Sequence, residues 1–373
     1  MSTSIDRLLA YQIQAGHFPG ATVHVERAGE ILAHQNAGML RPDGDAPVTD
    51  SALFRLASLS KSIVSFAALM LVDEGRLVLD APIGDYLPVL NDQRMLSGER
   101  PHRAPTVRDL LRHTAGLDYG WAIQEAAVRE KYLNANFLTQ TPYYDSATFL
   151  AELAKLPLTA QPGTTFHYGY ATDVLGFIIE KLEGVSLGRS LTRRLFEPLG
   201  MRETTFELDQ SEHARLASAF AADAAWHAFV PKYGIVKPGQ PFMHCGGGGL
   251  VSSIADYACF ARMLANGGSI GGQRLLSESL FAEMRSNQLA EGVLGPVSFT
   301  GPGFGFGLGM AVRLDWGSGA MPSAPGELTW SGISGTAVFV DPKEKWFALC
   351  FACNMSSRMM ARMEFRRAVS QLA

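Results

Sequence analysis

At 373 residues, 47% of them apolar and 18% charged, the chain is longer than one ordinary core requires and is not a disordered one. Roughly 150 residues per domain allows about two domains, or one carrying a large insertion. Thirty-two Lys and Arg against 36 Asp and Glu give a net charge of −4, which offers no electrostatic footprint for nucleic acid or an anionic membrane. The nearest basic cluster, Arg189, Arg193 and Arg194, has the spacing of a solvated helix face.

The opening MSTSIDRLLAYQIQAG reads as an amphipathic helix, with early charges and no apolar core of a secretory signal. No apolar run approaches the ~20 residues needed to cross a bilayer. From Pro19 to Gly38, apolar and polar residues alternate on either side of Ala28-Gly29, which predicts a β-hairpin. From Ser62 to Gly75, Ile63, Phe66, Ala67, Met70 and Leu71 recur at helical spacing and Gly75 supplies a stop. Helical patterns broken by Pro and Gly loops dominate residues 76 to 294, among them VRDLLRHTAGL, SATFLAELAKLPL, TDVLGFIIEKLEG and IADYACFARMLANGG. The segment from Tyr119 to Gln161 fits a lid and a packed connector equally well.

The last eighty residues turn strand-like again (FGFGLGMAVRL, ELTWSGISGTAVFVD, KWFALCFACN), and a helix from about Arg358 to Leu372 closes the chain. Strands at both ends with a helical middle predict an α/β sandwich: one sheet unit from residues 1–75 and 295–373, and a mostly helical unit from 76–294. The four cysteines are too few and too irregular for a disulfide framework. Cys350 and Cys353 match C-x-x-C, but on a strand positions three apart face opposite ways. A reducing cytoplasm is the expected compartment.

Ser58-Leu59-Ser60-Lys61 is an S-x-x-K that follows the apolar LFRLA and opens the first long helix. A helix N-terminus favours developing negative charge, and residues three apart share a face, so the Lys61 amine can reach the Ser58 hydroxyl. On this motif alone, Ser58 as a helix cap beside a solvated Lys61 fits equally well. Tyr168, in PGTTFHYGYATDVLGF, also precedes a helical run. A nearby ammonium would lower a phenol's pKa, although a lone tyrosine here is more often a core aromatic. In Trp330-Ser331-Gly332-Ile333 an apparent strand ends in glycine-rich sequence, where a backbone N–H can face a reaction centre. Two other motifs carry less. Gly267-Gly268-Ser269-Ile270-Gly271 matches G-x-S-x-G but follows a helix instead of a strand. The nine histidines include no H-E-x-x-H and no paired ligand spacing, so no metal is called for. His113 reads as a structural turn residue.

Taken together, S-x-x-K, a tyrosine motif about 110 residues later and a Trp-x-Gly strand near the C-terminus resemble the serine hydrolases related to class C β-lactamases and DD-peptidases. FPGATVHVERAG, LLRHTAGL, FEPLGM, CGGGGLVSS and FGFGLG look like further landmarks, so the resemblance spans about residues 18 to 354. The chain is most similar to the family VIII carboxylesterases. The resemblance implies an antiparallel sheet flanked by helices. It also implies a Ser58 nucleophile with Lys61 and Tyr168 as base, and an oxyanion hole from the Ser58 and Ile333 N–H groups. Trp330, Gly332, Tyr170 and Tyr119 are expected in the substrate site, with no cofactor and with a small-molecule ester as partner. The residues say nothing of subunit number. Two departures from the β-lactamase pattern bear on substrate: Tyr168-Gly169-Tyr170 lacks the Asn of Tyr-x-Asn, and Trp330 replaces the Lys of Lys-Thr-Gly. Without that cation a substrate carboxylate lacks its partner, so an uncharged acyl ester of short to medium length is expected. Acyl transfer, amide hydrolysis and weak β-lactam hydrolysis would use the same acyl-enzyme.

Overall fold

The computed structural model describes residues 4–372 apart from 45, 121, 122, 124, 136–143, 231–234, 236 and 316–320. Part of the 119–161 segment, expected to be a lid or a connector, lies outside the described residues.

The expected hairpin forms from β1 (Gly20–Arg27) and β2 (Glu30–Gly38), with Ala28 and Gly29 as its two-residue turn. Two short strands, β3 (Phe54–Arg55) and β4 (Val251–Ser252), pair with each other. β5 (Ser269–Ile270) and β6 (Gln273–Arg274) form a small hairpin after the helix Ile254–Ala265, and the G-x-S-x-G lies there. The C-terminal strands are β7 (Phe304–Phe306), β8 (Ala311–Arg313), β9 (Leu328–Ser331), β10 (Ala337–Asp341) and β11 (Trp346–Ala352). They join the hairpin in one seven-stranded sheet of order β2-β1-β11-β10-β9-β8-β7, antiparallel throughout. The two ends of the chain thus meet at β1 and β11, where Ala21 pairs with Ala352 and Arg27 with Trp346.

Both faces of this sheet are covered. The helices Ser4–Gln14 and Arg358–Val369 pack Ile5, Leu9, Phe365 and Val369 against Val23, Val25, Phe339 and Cys350. The opposite face, with Val338, Leu349, Phe351 and Cys353, joins the larger core built with the helical segment. Cys350 and Cys353 therefore do face opposite ways, and burial pushes both thiols up to about 12. β1 alternates in sequence yet is buried on both sides, so its polar face needs partners. Glu26 finds Arg262, at 2.6 Å, on the helix Ile254–Ala265, which lies within 76–294 by number and packs on the sheet. Among the described residues no helix is long and apolar enough to cross a membrane.

The helix Ser60–Asp73 runs through the middle of the larger core; all its residues from Ser60 to Leu71 except Met70 are buried. It packs against the helix Ala171–Glu183, which follows Tyr168. VRDLLRHTAGL is helical only over Val107–Leu111, because His113 takes φ +56° and ends the run.

Candidate active site

Ser58 sits in a 3-10 turn, Ala57–Leu59, that leads directly into the helix Ser60–Asp73. Ala57, just before it, has φ +46°, a left-handed conformation costing a residue with a Cβ on the order of 1–2 kcal/mol. Neighbouring segments hold this turn in place. The Leu56 N–H donates to the Leu250 carbonyl at 2.9 Å, and the Leu250 N–H donates to Ser60 Oγ at 3.1 Å. From the β9–β10 turn, Ser334 Oγ donates to the Arg55 carbonyl at 2.7 Å and Thr336 Oγ1 to the Leu56 carbonyl at 3.0 Å. Gly332 stands where the two backbones meet, and a Cβ there would collide with the Leu56 carbonyl and the Thr336 hydroxyl. This stitching brings Ile333 beside Ser58. Both line a cavity of about 270 Å³ with Tyr119, Tyr168, Phe299 and Trp330. The N–H groups of Ser58 and Ile333 make no hydrogen bond with the described residues.

Lys61 lies one turn further on and is 1% exposed. Its Nζ is 3.5 Å from Ser58 Oγ, 3.0 Å from Tyr119 Oη and 2.5 Å from the Gly247 carbonyl. It also stands 4.6 Å from the centroid of the Tyr168 ring. The Gly247 loop is set by Asp173 in the first turn of the helix Ala171–Glu183. Asp173 Oδ1 accepts from the Gly247 N–H at 2.9 Å and from Cys245 Sγ at 3.0 Å. Burial pushes the Asp173 carboxyl up, against the pull of the Lys61 charge. A Cβ at Gly247 would lie 2.6 Å from Asp173 Oδ2. The glycines of CGGGGL therefore let one backbone segment fit between a buried acid and a buried base.

Tyr168 meets the amine through its ring face, while its hydroxyl accepts from Trp330 Nε1 at 3.2 Å. The phenol oxygen hydrogen-bonded to Lys61 is that of Tyr119, which the sequence placed only among substrate contacts. Trp330 and Gly332 stand in the cavity wall as expected. Tyr170 does not. It packs edge-on against Tyr119 at 4.7 Å and against Phe149 at 5.8 Å, behind the wall, because it caps the helix Ala171–Glu183 and turns inward. His113 packs its ring on Tyr168 at 4.8 Å, and burial, then the Lys61 charge, holds its imidazole well below its ordinary pKa. Its Nδ1 has no hydrogen-bond partner among the described residues, so the expected turn residue is anchored through its backbone. His167 Nδ1 is 2.6 Å from Thr159 Oγ1.

Two wall residues have no counterpart in the motifs. Arg358 and Arg362, one turn apart on the closing helix, both border the cavity. Arg362 donates to Ser331 Oγ and to the Phe299 carbonyl, and Arg358 to the Met355 carbonyl. Neither is in an ion pair among the described residues. Burial, then the neighbouring Arg358, pushes the Arg362 guanidinium down to about 10. Guanidinium groups from another element thus border the cavity, although the strand position that Trp330 occupies carries no charge. Their i, i+4 spacing was readable in the sequence, but nothing local tied it to Ser58.

The Beta-lactamase family model matches residues 5–371. The chain belongs to that family. It is 30% identical to Esterase EstB of Burkholderia gladioli, over 91% of this chain and 87% of the relative. It is 27% identical to Lovastatin esterase of Penicillium rubens, over 91% and 90%. Among solved structures it superposes on "EstCE1, a hydrolase with promiscuous acyltransferase activity" with a TM-score of 0.85 and 26% identity, covering 98% of this chain and 97% of that one. The similarity to these proteins runs through the sheet and the helical segment alike.

Proposed function

We propose that the protein is a serine carboxylesterase that cleaves acyl esters of short to medium length through an acyl-enzyme on Ser58. The observation that carries this reading is the buried Lys61 amine 3.5 Å from Ser58 Oγ, in a cavity whose wall carries Trp330 where a β-lactamase pattern has Lys. A carbonyl can only accept, so one Lys61 N–H is committed to Gly247 and a second serves Tyr119. In its uncharged form the amine then turns its lone pair to the Ser58 hydroxyl and takes that proton as Oγ attacks the ester carbonyl. The Ser58 and Ile333 N–H groups receive the oxyanion, where losing one donor typically costs ~3 kcal/mol. Tyr168, whose hydroxyl oxygen accepts from the Trp330 N–H, gives its own hydroxyl proton to the departing alcohol and is left as a phenolate. The phenolate takes a proton from the water that attacks next, while Lys61 holds the Ser58 proton until Oγ leaves the acyl group and recovers it. Water then resolves the acyl-enzyme. The EstB and Lovastatin esterase similarities support hydrolysis; the EstCE1 title supports acyl transfer by the same intermediate when an alcohol enters in place of water.

Intact-mass labelling with a fluorophosphonate, beside a panel of p-nitrophenyl esters and a chromogenic cephalosporin, tests the assignment. One adduct is expected, absent in Ser58→Ala, with ester turnover lost in the same variant. Ester turnover that survives Ser58→Ala removes the site. Cephalosporin turnover far above ester turnover removes the substrate class.

A further inference from the structure

Tyr168, Ser298 and Phe299 line two cavities. Beyond the one that holds Ser58 lies a second of about 760 Å³, bounded by residues 164–168, residues 292–299 and Asp118. The partition between them is Phe299, 4.9 Å from the Tyr168 ring and 5.7 Å from Trp330. Its carbonyl is gripped by Arg362, so the wall is fixed from the closing helix as well.

The two volumes suit different halves of an ester. A cavity of about 150 Å³ holds a benzene-sized group. The inner cavity, at about 270 Å³, must seat the reacting carbonyl and leaves room for a short acyl group. The second has the volume of a site for a drug-sized molecule. Its lining includes Leu294 and Val297, 79% and 46% exposed, large apolar side chains left in water. Phe166 and Val293 add apolar lining, and Thr164 and Thr165 add hydroxyls.

We infer that the second cavity is the binding site for the alcohol half of the substrate, and that the preferred substrates are short acyl esters of a bulky, mainly apolar alcohol. This rests on the proposed esterase reading, in which Tyr168 protonates the leaving oxygen. The bond from Ser58 Oγ to the acyl carbon forms, the bond from that carbon to the alkoxy oxygen breaks, and the proton goes to the alkoxy oxygen. That oxygen lies at Tyr168, and Tyr168 is the wall shared with the second cavity. The acyl group stays with Ser58, Trp330 and Ile333, and the body of the alcohol passes Phe299 into the larger space.

Val297→Trp and Leu294→Trp narrow the second cavity from exposed positions that line it and not the cavity holding Ser58. Three probes separate the halves: p-nitrophenyl acetate, p-nitrophenyl octanoate and testosterone acetate. In both variants kcat/KM for testosterone acetate is expected to fall about tenfold or more, through KM, while both p-nitrophenyl esters, whose single-ring alcohol half reaches less far into that cavity, fall much less. Loss on the octanoate with testosterone acetate spared would put the acyl chain in the second cavity and overturn the inference. So would an equal effect on all three probes, no effect on any, or an unmutated enzyme that turns over the octanoate and not testosterone acetate. Failure of the underlying reading is separately visible as the absence of a fluorophosphonate adduct on Ser58 in the unmutated enzyme.

Discussion

Gly247 has no side chain to offer, yet it fixes where the Lys61 amine points. Its carbonyl takes one amine hydrogen, and its Cα lies so near Asp173 that a methyl group would have to displace the loop. Gly247→Ala is therefore expected to keep the fold and lose activity, since a misplacement of about 1 Å can cost ~10²-fold in rate. Circular dichroism melting beside kcat on p-nitrophenyl butyrate checks it; a variant with full kcat would show that this carbonyl does not orient the amine. The two tyrosines separate by a different comparison. Fluoride leaves without needing a proton donor, whereas an alkoxide needs one. Tyr168→Phe is expected to cut turnover of alkyl esters by about 10²-fold while slowing fluorophosphonate labelling far less. Tyr119→Phe, which removes the acceptor beside Lys61, is expected to slow both together. Equal effects of Tyr168→Phe on labelling and turnover would remove its role at the leaving oxygen. Ser58, Lys61, Trp330 and Gly332 were legible because each pair sits within one turn or one strand end, where spacing alone implies proximity. The bond from Lys61 to Tyr119 was not, because it depends on how residue 119 folds back on residue 61, and no local pattern encodes that.

The hairpin and the closing helix show what a short-range pattern can carry. Alternation about Ala28-Gly29 was enough to place β1 and β2, and periodicity was enough for Arg358–Val369. What the helix does was hidden, since its function depends on its seat against the sheet. Arg358, Arg362 and Arg366 recur every four residues along one face, and the seat decides their partners. Arg366 pairs with the buried Glu327 at 2.6 Å, while Arg362 and Arg358 border the cavity that holds Ser58. The two cavity arginines predict discrimination by charge. A carboxylate on the substrate gains a charge-assisted hydrogen bond worth ~2 kcal/mol, and an uncharged ester of the same size gains none. Arg358→Met, which among the described residues breaks a hydrogen bond to the Met355 carbonyl, is expected to lower kcat/KM for mono-p-nitrophenyl succinate about tenfold and to leave p-nitrophenyl butyrate unchanged. Equal behaviour of the two esters in this variant would show that the guanidinium does not face the substrate.

Across the whole molecule, acids and bases buried around this site pull stability in opposite directions with pH. Asp109, wholly buried, would be raised by burial, but Arg103, the Thr106 N–H and Arg112 outweigh that and hold it at about 2. Its folded pKa lies below its unfolded one, so its stabilisation is present above ~4 and is lost as pH falls through about 2. His113, kept uncharged by burial and then by Lys61, also penalises acid, because only the unfolded chain takes up its proton below ~6.5. Asp118 acts in the other sense. Burial pushes it up to about 7 against the Tyr119 N–H, with His167 Nδ1 3.7 Å away and the Tyr132 phenol packed near it. A raised carboxyl contributes stability below its unfolded pKa and loses it as pH rises through about 7. Asp118 is therefore expected to draw folding free energy down as pH rises from 5 to about 7, against the gain that His113 contributes below ~6.5. Asp118→Asn, which cannot ionise, should gain on the unmutated protein over that interval by on the order of 1 kcal/mol or more, read by urea unfolding at each pH. Curves that stay parallel from pH 5 to pH 8.5 would mean that Asp118 does not change its protonation there, and any decline would then have to come from other carboxyls that burial raises, Glu327 among them, pushed up to about 7 against Arg366.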